Sequence, residues 1–277
     1  MVSIKNLNFS YSKKGLPLFR DLNLQASGGS IIGLLGKNGA GKSTLLKIIA
    51  GLLKSHSGDI SVLNYDPIKR YPSFMQQVFF VPEEFEVPSI SIDEYVKCTA
   101  PLYPTFDFAK MDDIINSFEL DRRVKLSKMS YGQKKKFLIA FALATNCNLL
   151  ALDEPTNGLD IPSKALFRKV MAGALNDEQT VIISTHQVKD VENLIDRILL
   201  IDNGNIVFNH DTIDVSESLS FETVSDTTGI DFVYSENVAG GHRVVKQKDK
   251  SGTPLDIELL FNAVTNGSKF EIHESDI

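Results

Sequence analysis

Apolar residues recur along this chain with two different spacings, which predict where its strands and helices lie. Short apolar or alternating runs predict strands at residues 2–9, 18–24, 31–35, 60–63, 78–81, 149–152, 181–184, 197–202 and 205–209. Longer runs with helical periodicity predict helices at residues 44–53, 92–99, 110–118, 133–145 and 163–175. Because strands and helices alternate, we expect an α/β fold with a parallel, doubly wound sheet. The helices between about 88 and 144 would form a helical subdomain.

Turn-forming residues organise the last third of the chain. Asn203-Gly204, between two strand segments, is the strongest short-range hairpin signal. A second hairpin is predicted around Gly240-Gly241, and a helix is predicted after it with Thr253 as its N-cap. We therefore expect a main domain at residues 1–210 and a small α+β C-terminal extension at residues 211–277.

Composition and charge narrow the classes of function. The 277 residues are 43% hydrophobic and 23% charged, which is enough to bury an ordinary core. The net charge of −6 is uneven, because residues 1–210 contain 24 Lys and Arg against 22 Asp and Glu, whereas residues 211–277 contain 5 against 13. A near-neutral main domain with an acidic tail argues against nucleic acid as a partner.

The sequence predicts neither secretion nor membrane insertion of this chain. Its start lacks the pattern of a signal peptide. Its longest apolar run, residues 137–144, is much shorter than the roughly 20 residues that a membrane helix needs. Cys98 and Cys147 lack the spacing of a zinc site or a disulfide framework, which favours reduced thiols. We expect a soluble protein whose membrane role would come through a partner.

A glycine-rich segment between a predicted strand and a predicted helix indicates a phosphate site. Residues 36–43 read GKNGAGKS and fit the GxxxxGK[ST] pattern. Glycines let the backbone wrap around phosphates, and the following helix points its free N–H groups at them. Lys42 would neutralise the β- and γ-phosphates, and Ser43 would coordinate Mg²⁺. The predicted contacts with a nucleotide triphosphate are Gly36, Asn38, Gly39, Gly41, Lys42, Ser43 and Thr44.

Two carboxylates follow the apolar strand at residues 149–152. A strand without a polar face is typical of the centre of a sheet, and ligands of such sheets collect beyond the carboxyl ends of the strands. We expect Asp153 to bind Mg²⁺ directly or through water, and Glu154 to polarise an attacking water. Taken alone, the pair also fits a helix cap or a turn. With the phosphate loop in the same chain, the pair predicts ATP hydrolysis.

The segment Ser130-Tyr131-Gly132-Gln133 has the spacing of a capping box before an apolar helix. An ordinary capped core helix would explain that spacing. Gly132, however, lowers helix propensity in the first turn and exposes the backbone there. The N-terminus of a capped helix also attracts anions. Because residues 36–43 already hold the nucleotide of this chain, the second site could serve a nucleotide held by another subunit.

These segments together resemble the ATP-binding subunit of an ABC transporter over about residues 1–210. The segment 129–133 is similar to the LSGGQ signature of that family, which contacts ATP across a head-to-tail dimer. The resemblance implies a P-loop NTPase core of the ABC ATPase type, with Lys42, Glu154 and His186 as the catalytic group. In the family, the histidine senses the γ-phosphate; alone, a histidine after a strand is more often structural.

The same resemblance implies further nucleotide contacts. Residues 158–160 look like the D-loop of the family, which adds Asp160 to the site together with Ser130, Gly132 and Gln133. Tyr11 lies where the family stacks an aromatic ring on adenine, and Phe9 is a rival candidate. ATP and Mg²⁺ are the implied ligands.

One position departs from the family pattern. A glutamine usually follows the strand and proline at this point, whereas here residues 78–82 are followed by Glu83. A carboxylate could still bind Mg²⁺, so Glu83 joins Ser43 and Asp153 as a predicted metal ligand. It also adds negative charge near the phosphates and cannot donate a hydrogen bond. We therefore expect basal activity or coupling to differ from the usual pattern. Gln76 and Gln77 lie nearby but precede the strand.

The resemblance also implies partners and a location. Residues 255–261 resemble the closing helix of ATPases from bacterial exporters whose membrane protein is a separate chain, and residues 121–129 lack the TEVGE-like sequence of fused multidrug exporters. We expect a cytoplasmic subunit on the inner face of the cell membrane, bound to an integral membrane transporter subunit. It would form an ATP-dependent homodimer, or a heterodimer with a paralogous ATPase. The alternative is a non-transport ABC ATPase that acts on ribosomes, on DNA or in assembly.

Overall fold

The architecture follows from a computed structural model that describes residues 1–12, 15–248 and 253–273. The first strands and helices are β1 (Val2–Phe9), β2 (Phe19–Ala26), β3 (Ile31–Leu35), α1 (Lys42–Ile49), β4 (Ser57–Val62), the single turn α2 (Pro72–Met75) and β5 (Val78–Val81). The next are α3 (Ile92–Thr99), α4 (Phe108–Ser117), α5 (Tyr131–Ala144), β6 (Leu149–Asp153), α6 (Ile161–Ala174), β7 (Thr180–Thr185), β8 (Arg197–Asp202) and β9 (Asn205–Asp211). The last are α7 (Thr212–Ser218), β10 (Leu219–Val224), β11 (Tyr234–Val238), β12 (Gly241–Gln247) and α8 (Ile257–Thr265).

A six-stranded sheet with the order β5-β6-β7-β3-β8-β9 forms the centre of the molecule. Neighbouring strands from β5 to β8 are parallel, and β9 pairs antiparallel with β8 through the predicted turn at Asn203-Gly204. The prediction of a parallel α/β sheet is therefore confirmed. Because the carboxyl ends of β3, β5, β6 and β7 meet at one edge, the segments that follow these four strands lie close together.

Both faces of this sheet are buried, as the apolar strand β6 predicted. Leu149 and Ala151 pack in one apolar cluster with α1 and with a second, antiparallel sheet of order β2-β1-β4. Leu150 and Leu152 point to the opposite face and pack in another cluster with α5 and α6. Helix α1 is thereby enclosed between two sheets, which holds its N-terminus rigidly at the edge of the central sheet.

Helices α1, α4, α5 and α6 each begin two residues before their predicted starts, and the largest difference lies at the end of α1. Helix α1 ends at Ile49 and does not continue to residue 53. The cause is Gly51, whose φ of +70° is left-handed and whose Cβ, if present, would lie 2.3 Å from the carbonyl oxygen of Pro67. Helix α5 begins at Tyr131, two residues before the predicted start, with Ser130 as its N-cap.

The C-terminal residues form a three-stranded antiparallel sheet of order β10-β12-β11, with α8 against β12. The hairpin predicted around Gly240-Gly241 is present, but the prediction missed β10. The predicted N-cap of α8 was wrong. Asp256 caps the helix by accepting a hydrogen bond from the Leu259 N–H at 2.9 Å. Thr253 accepts instead from the Phe221 N–H at 2.7 Å, which ties it to β10.

Within the described ranges, no helix has the length and hydrophobicity needed to cross a bilayer. Cys98 is exposed and Cys147 is buried, and both are free thiols.

Candidate nucleotide site

The loop between β3 and α1 closes around the side chain of Lys42. Gly41 has a φ of +110°, and a Cβ there would lie 2.5 Å from the ring of Phe19, so only glycine fits without displacing that ring. The Lys42 ammonium donates to the carbonyl oxygens of Gly36 at 2.8 Å and Lys37 at 3.3 Å. Burial lowers the pKa of Lys42, and the nearby carboxylates of Glu154, Asp153 and Glu83 oppose this shift. The loop thus presents a glycine-rich backbone and an amine at the N-terminus of a buried helix.

A hydroxyl and a carboxylate meet beside this loop. Ser43 Oγ donates to Asp153 Oδ1 at 2.9 Å, and Ser184 Oγ at the end of β7 donates to the same oxygen at 2.5 Å. In the described part of the chain, no group of three or more His, Cys, Asp and Glu residues could hold a metal ion. A hydroxyl and one carboxylate nevertheless fit Mg²⁺, which usually completes its shell with substrate phosphates and water.

The carboxylate of Glu154 is held at both oxygens. Oε1 accepts from the His186 backbone N–H at 3.1 Å and lies 2.8 Å from His186 Nδ1, and Oε2 accepts from Thr185 Oγ1 at 3.1 Å. Because an ionised carboxylate only accepts, Nδ1 carries the ring proton in this contact. Glu154 Oε1 also lies 3.8 Å from Lys42 Nζ. The backbone of Glu154 is left-handed, with a φ of +44°.

These groups surround one cavity of ≈ 550 Å³ at the sheet edge. Its lining includes most of the predicted site: Tyr11, Asn38, Gly39, Gly41, Lys42, Ser43, Thr44, Glu83, Glu154 and His186. Gly36 and Asp153 lie behind this lining, bonded to Lys42 and Ser43 as described. The segments after β3, β5, β6 and β7 therefore contribute to a single concave site.

Tyr11 and Glu83 both line this cavity. Tyr11 is 70% exposed at the cavity, where its hydroxyl lies 2.7 Å from Thr44 Oγ1, whereas Phe9 is only 5% exposed and packs edge-on to the Tyr11 ring. Glu83 also lines the cavity, and its Oε1 accepts a hydrogen bond from Asn157 Nδ2 at 2.8 Å.

The segment at 129–133, which resembles the signature, does not line this cavity. Ser130 and Gln133 form the predicted capping box, with Ser130 Oγ accepting from the Gln133 N–H at 3.2 Å and Gln133 Oε1 accepting from the Ser130 N–H at 2.9 Å. Asp160 caps α6 through the Ser163 N–H at 3.0 Å, and its hydrogen bonds with Ser163 lower its pKa. Ser130, Gly132, Gln133 and Asp160 are not among the described residues that line the cavity.

Sequence reasoning missed several neighbours of the site. Asn157 lines the cavity, and Ser184 and Thr185 hold the two carboxylates. A signal for the last two was present, because hydroxyl residues at the end of an apolar strand can reach groups at the sheet edge. Lys135, a cation inside an apolar helix, was a further signal that the prediction did not use.

Comparisons with known proteins identify the family of this chain. The profile of the family described as ABC transporter matches residues 19–157. NatA, an ABC transporter ATP-binding protein of Bacillus subtilis, is 31% identical over 209 residues, which are 72% of this chain and 84% of NatA. A fluoroquinolones export ATP-binding protein of Mycobacterium tuberculosis is 28% identical, with 75% of this chain and 69% of that protein covered. The molybdate import protein MolC of Haemophilus influenzae is 32% identical, with coverages of 75% and 81%.

A solved structure described as the ATP-binding subunit of an ABC transporter superposes with a TM-score of 0.68 at 24% identity, covering 78% of this chain and 91% of that one. Fold and site together define a P-loop NTPase. The chain belongs to the ABC transporter family, whose ATP-binding subunits bind and hydrolyse ATP.

Proposed function

We propose that this chain binds ATP with Mg²⁺ and hydrolyses it to drive export, as the cytoplasmic subunit of a transporter whose membrane protein is a separate chain. The observation that carries the proposal is the meeting of Lys42, Ser43 and Glu154 around one cavity. These residues supply a phosphate-binding cation, a metal-binding hydroxyl and a carboxylate for water. Phosphoryl transfer requires little beyond such positioning and charge stabilisation.

The loop residues and Ser43 account for binding. The backbone N–H groups of residues 36–43 and the Lys42 ammonium would bind the β- and γ-phosphates. Bound Mg²⁺ would neutralise charge on the phosphate oxygens during transfer. Ser43 and Asp153 would hold it, and Glu83, which also lines the cavity, is the third candidate. Tyr11 offers its exposed ring to the adenine.

Glu154 accounts for hydrolysis. Its carboxylate holds the attacking water and accepts a proton as the water oxygen bonds to the γ-phosphorus. The bond between that phosphorus and the bridging oxygen breaks, and the electron pair leaves with ADP. His186 and Thr185 keep the carboxylate in one orientation through the contacts of 2.8 and 3.1 Å. Orientation of this kind is a main source of catalysis when the chemistry itself needs few groups.

The signature residues complete the proposal with a second subunit. Because Ser130, Gly132, Gln133 and Asp160 do not line the cavity of their own chain, we assign them to a nucleotide held by a second copy or by a paralogous ATPase. Ser130 and Gln133 are exposed and can be approached by such a partner. A head-to-tail dimer would then bury two nucleotides.

Export is the direction that the C-terminal sequence favours. The names of the relatives do not agree on the direction of transport, because one is an export protein and another is an import protein. Residues 255–261 resemble the closing helix of exporter ATPases, and they overlap α8 (Ile257–Thr265). We include the division of the chain into residues 1–210 and an extension at 211–277 in the proposal. An integral membrane subunit would place the chain on the inner face of the membrane.

The test is ATP hydrolysis by the purified chain and its Glu154→Gln variant. We expect the variant to bind ATP and to lose roughly 10²–10⁴-fold in kcat, the usual contribution of a positioned general base. Glu178→Gln, which removes an equal charge from an exposed loop, is the control and should keep wild-type kcat. Full activity of Glu154→Gln would refute the catalytic assignment. Failure of the chain to co-purify with a polytopic membrane protein from its source cells would refute the transport assignment.

A further inference from the structure

A buried lysine lies two residues beyond the signature segment. Lys135 is 0% exposed, although it belongs to a residue type that is seldom fully buried. Its ammonium lies 5.4 Å from the ring centre of Phe85 and 5.6 Å from that of Tyr131. A buried cation is costly unless its donors are satisfied. Its partners therefore indicate why it is there.

Those partners are main-chain carbonyls from two separate loops. Lys135 Nζ donates to the carbonyl oxygens of Glu83 at 3.0 Å, Glu154 at 3.3 Å and Pro82 at 3.4 Å. Residues 82–83 follow β5 directly, and Glu154 follows β6. One side chain of α5 thus joins the ends of two neighbouring strands. The Tyr131 hydroxyl donates to the Glu83 carbonyl as well, so α5 holds that loop at two points.

The contact with Glu154 falls on a strained residue. A φ of +44° is in the left-handed region, which is unfavourable for a residue with a Cβ and persists only where the surroundings hold it. The Glu154 N–H is held by Ser184, at 3.0 Å from its carbonyl oxygen and 3.2 Å from Oγ. Lys135 holds the other end of the same residue, at its carbonyl oxygen. The two contacts together fix the backbone from which the carboxylate projects.

Charge compensation alone is the rival explanation. Burial lowers the pKa of Lys135 to about 8, and the carboxylates of Glu83, Asp153 and Glu154 oppose that shift. Ion pairing, however, would aim the ammonium at carboxylate oxygens. The carboxylate of Glu83 faces Asn157, and that of Glu154 faces His186 and Thr185. The ammonium itself bonds carbonyl oxygens, which indicates that backbone position is what it controls.

We propose that Lys135 is a positioning residue for ATP hydrolysis. It connects the helix that begins at the signature to the backbone of Glu154 and to the loop of Glu83. A second copy's nucleotide, on reaching Ser130 and Gly132, therefore acts on the same helix that positions Glu154. This inference rests on the proposed function, because it takes Glu154 as the catalytic carboxylate and the signature as the partner's nucleotide site.

The test compares three substitutions in the full-length chain. Lys135→Met keeps a similar length but no donors, Lys135→Gln keeps two N–H donors without the charge, and Lys169→Met is the control at an exposed lysine of α6. We expect Lys135→Met to lower kcat about 10²-fold, the typical cost of misplacing a catalytic group by 1 Å. Its KM for Mg-ATP should stay within about twofold. The kcat of Lys135→Gln should lie between those of Lys135→Met and wild type. The kcat of Lys169→Met should equal that of wild type.

Each outcome decides the role of Lys135. If kcat falls equally in Lys135→Met and Lys135→Gln, the charge of Lys135 alone explains the loss, and its hydrogen bonds do not. An unchanged kcat in either variant would overturn the positioning role. A loss confined to KM would also overturn it. If Lys135→Met does not melt cooperatively, Lys135→Gln alone decides, because its kcat must fall below that of wild type at unchanged KM. If the wild-type protein does not hydrolyse ATP, the proposed function itself is refuted. If wild type and Lys135→Met hydrolyse ATP with the same kcat, only the positioning role of Lys135 is refuted.

Discussion

At the scale of single residues, much of the site depends on the carboxylate of Glu154. Glu154 is 5% exposed, with hydrogen bonds at its N–H, its carbonyl oxygen and both carboxylate oxygens. Water competes weakly for a group in that position, so its orientation is set before a substrate arrives. A preorganised group of this kind needs little rearrangement during reaction.

Glu83 is the residue whose chemistry departs from the family pattern. Asn157 donates to its Oε1, and it lines the cavity with Lys42 and Ser43. Glu83→Gln keeps an oxygen for Asn157 and removes a negative charge that opposes the phosphates. We expect a severalfold lower KM for Mg-ATP and a changed kcat in steady-state kinetics, with Glu84→Gln as the neighbouring control. Unchanged kinetics and unchanged transport in Glu83→Gln would show that the departure has no consequence.

At the scale of elements, sequence patterns predicted the parts in which local chemistry decides. The glycine loop before α1, the apolar strand β6 and the capping box of α5 all lie where the sequence placed them. Each of these depends on neighbouring residues, so one stretch of sequence was sufficient. The meeting of the glycine loop and the carboxylates after β6 at one sheet edge followed from the rule that parallel strands carry ligands at their carboxyl ends.

Elements that depend on distant contacts were predicted less well. The end of α1 is set by the close approach of Pro67 to Gly51, and the cap of α8 by the pairing of Thr253 with Phe221 in β10. Neither contact is visible in a local window. The alternation of Leu219 and Phe221 with polar residues was a signal for β10 that went unused. The contacts of Lys135 are likewise invisible in a local window, because they reach loops 52 and 19 residues away in the sequence.

The cap of α8 can be tested directly. Asp256 accepts from the Leu259 N–H and also pairs with Arg243. Asp256→Ala removes both contacts and should lower the free energy of unfolding by about 1–2 kcal/mol, whereas Asp256→Asn keeps a capping side chain and should cost less. Urea unfolding followed by circular dichroism measures the difference. Equal losses in the two variants would show that Asp256 is not the cap.

At the scale of the whole molecule, the C-terminal extension is not an isolated appendage. Leu259 and Leu260 of α8 belong to the same apolar cluster as Val188 and Val191, which follow His186 in sequence. Lys189 of that segment pairs with Glu258 at 3.0 Å. The extension therefore packs directly against the segment that carries His186.

The segment after His186 is also joined to the ATPase core. Asp190 pairs with Lys164 of α6 at 2.7 Å and accepts from Thr156 Oγ1 at 2.8 Å, two residues beyond Glu154. The segment at 188–191 thus contacts the extension on one side and the surroundings of Glu154 on the other. This segment therefore links the position of the extension to the geometry of the site.

The proposed function requires two such chains to close around ATP. The most direct test is the molar mass of Glu154→Gln by size-exclusion chromatography with light scattering, with and without Mg-free ATP. We predict a monomer without nucleotide and a dimer with ATP, and a monomer in both conditions when Gly132→Asp is added to place a negative charge at the signature. A Glu154→Gln protein that binds ATP and stays monomeric, or that dimerises equally without ATP, would contradict the shared nucleotide site.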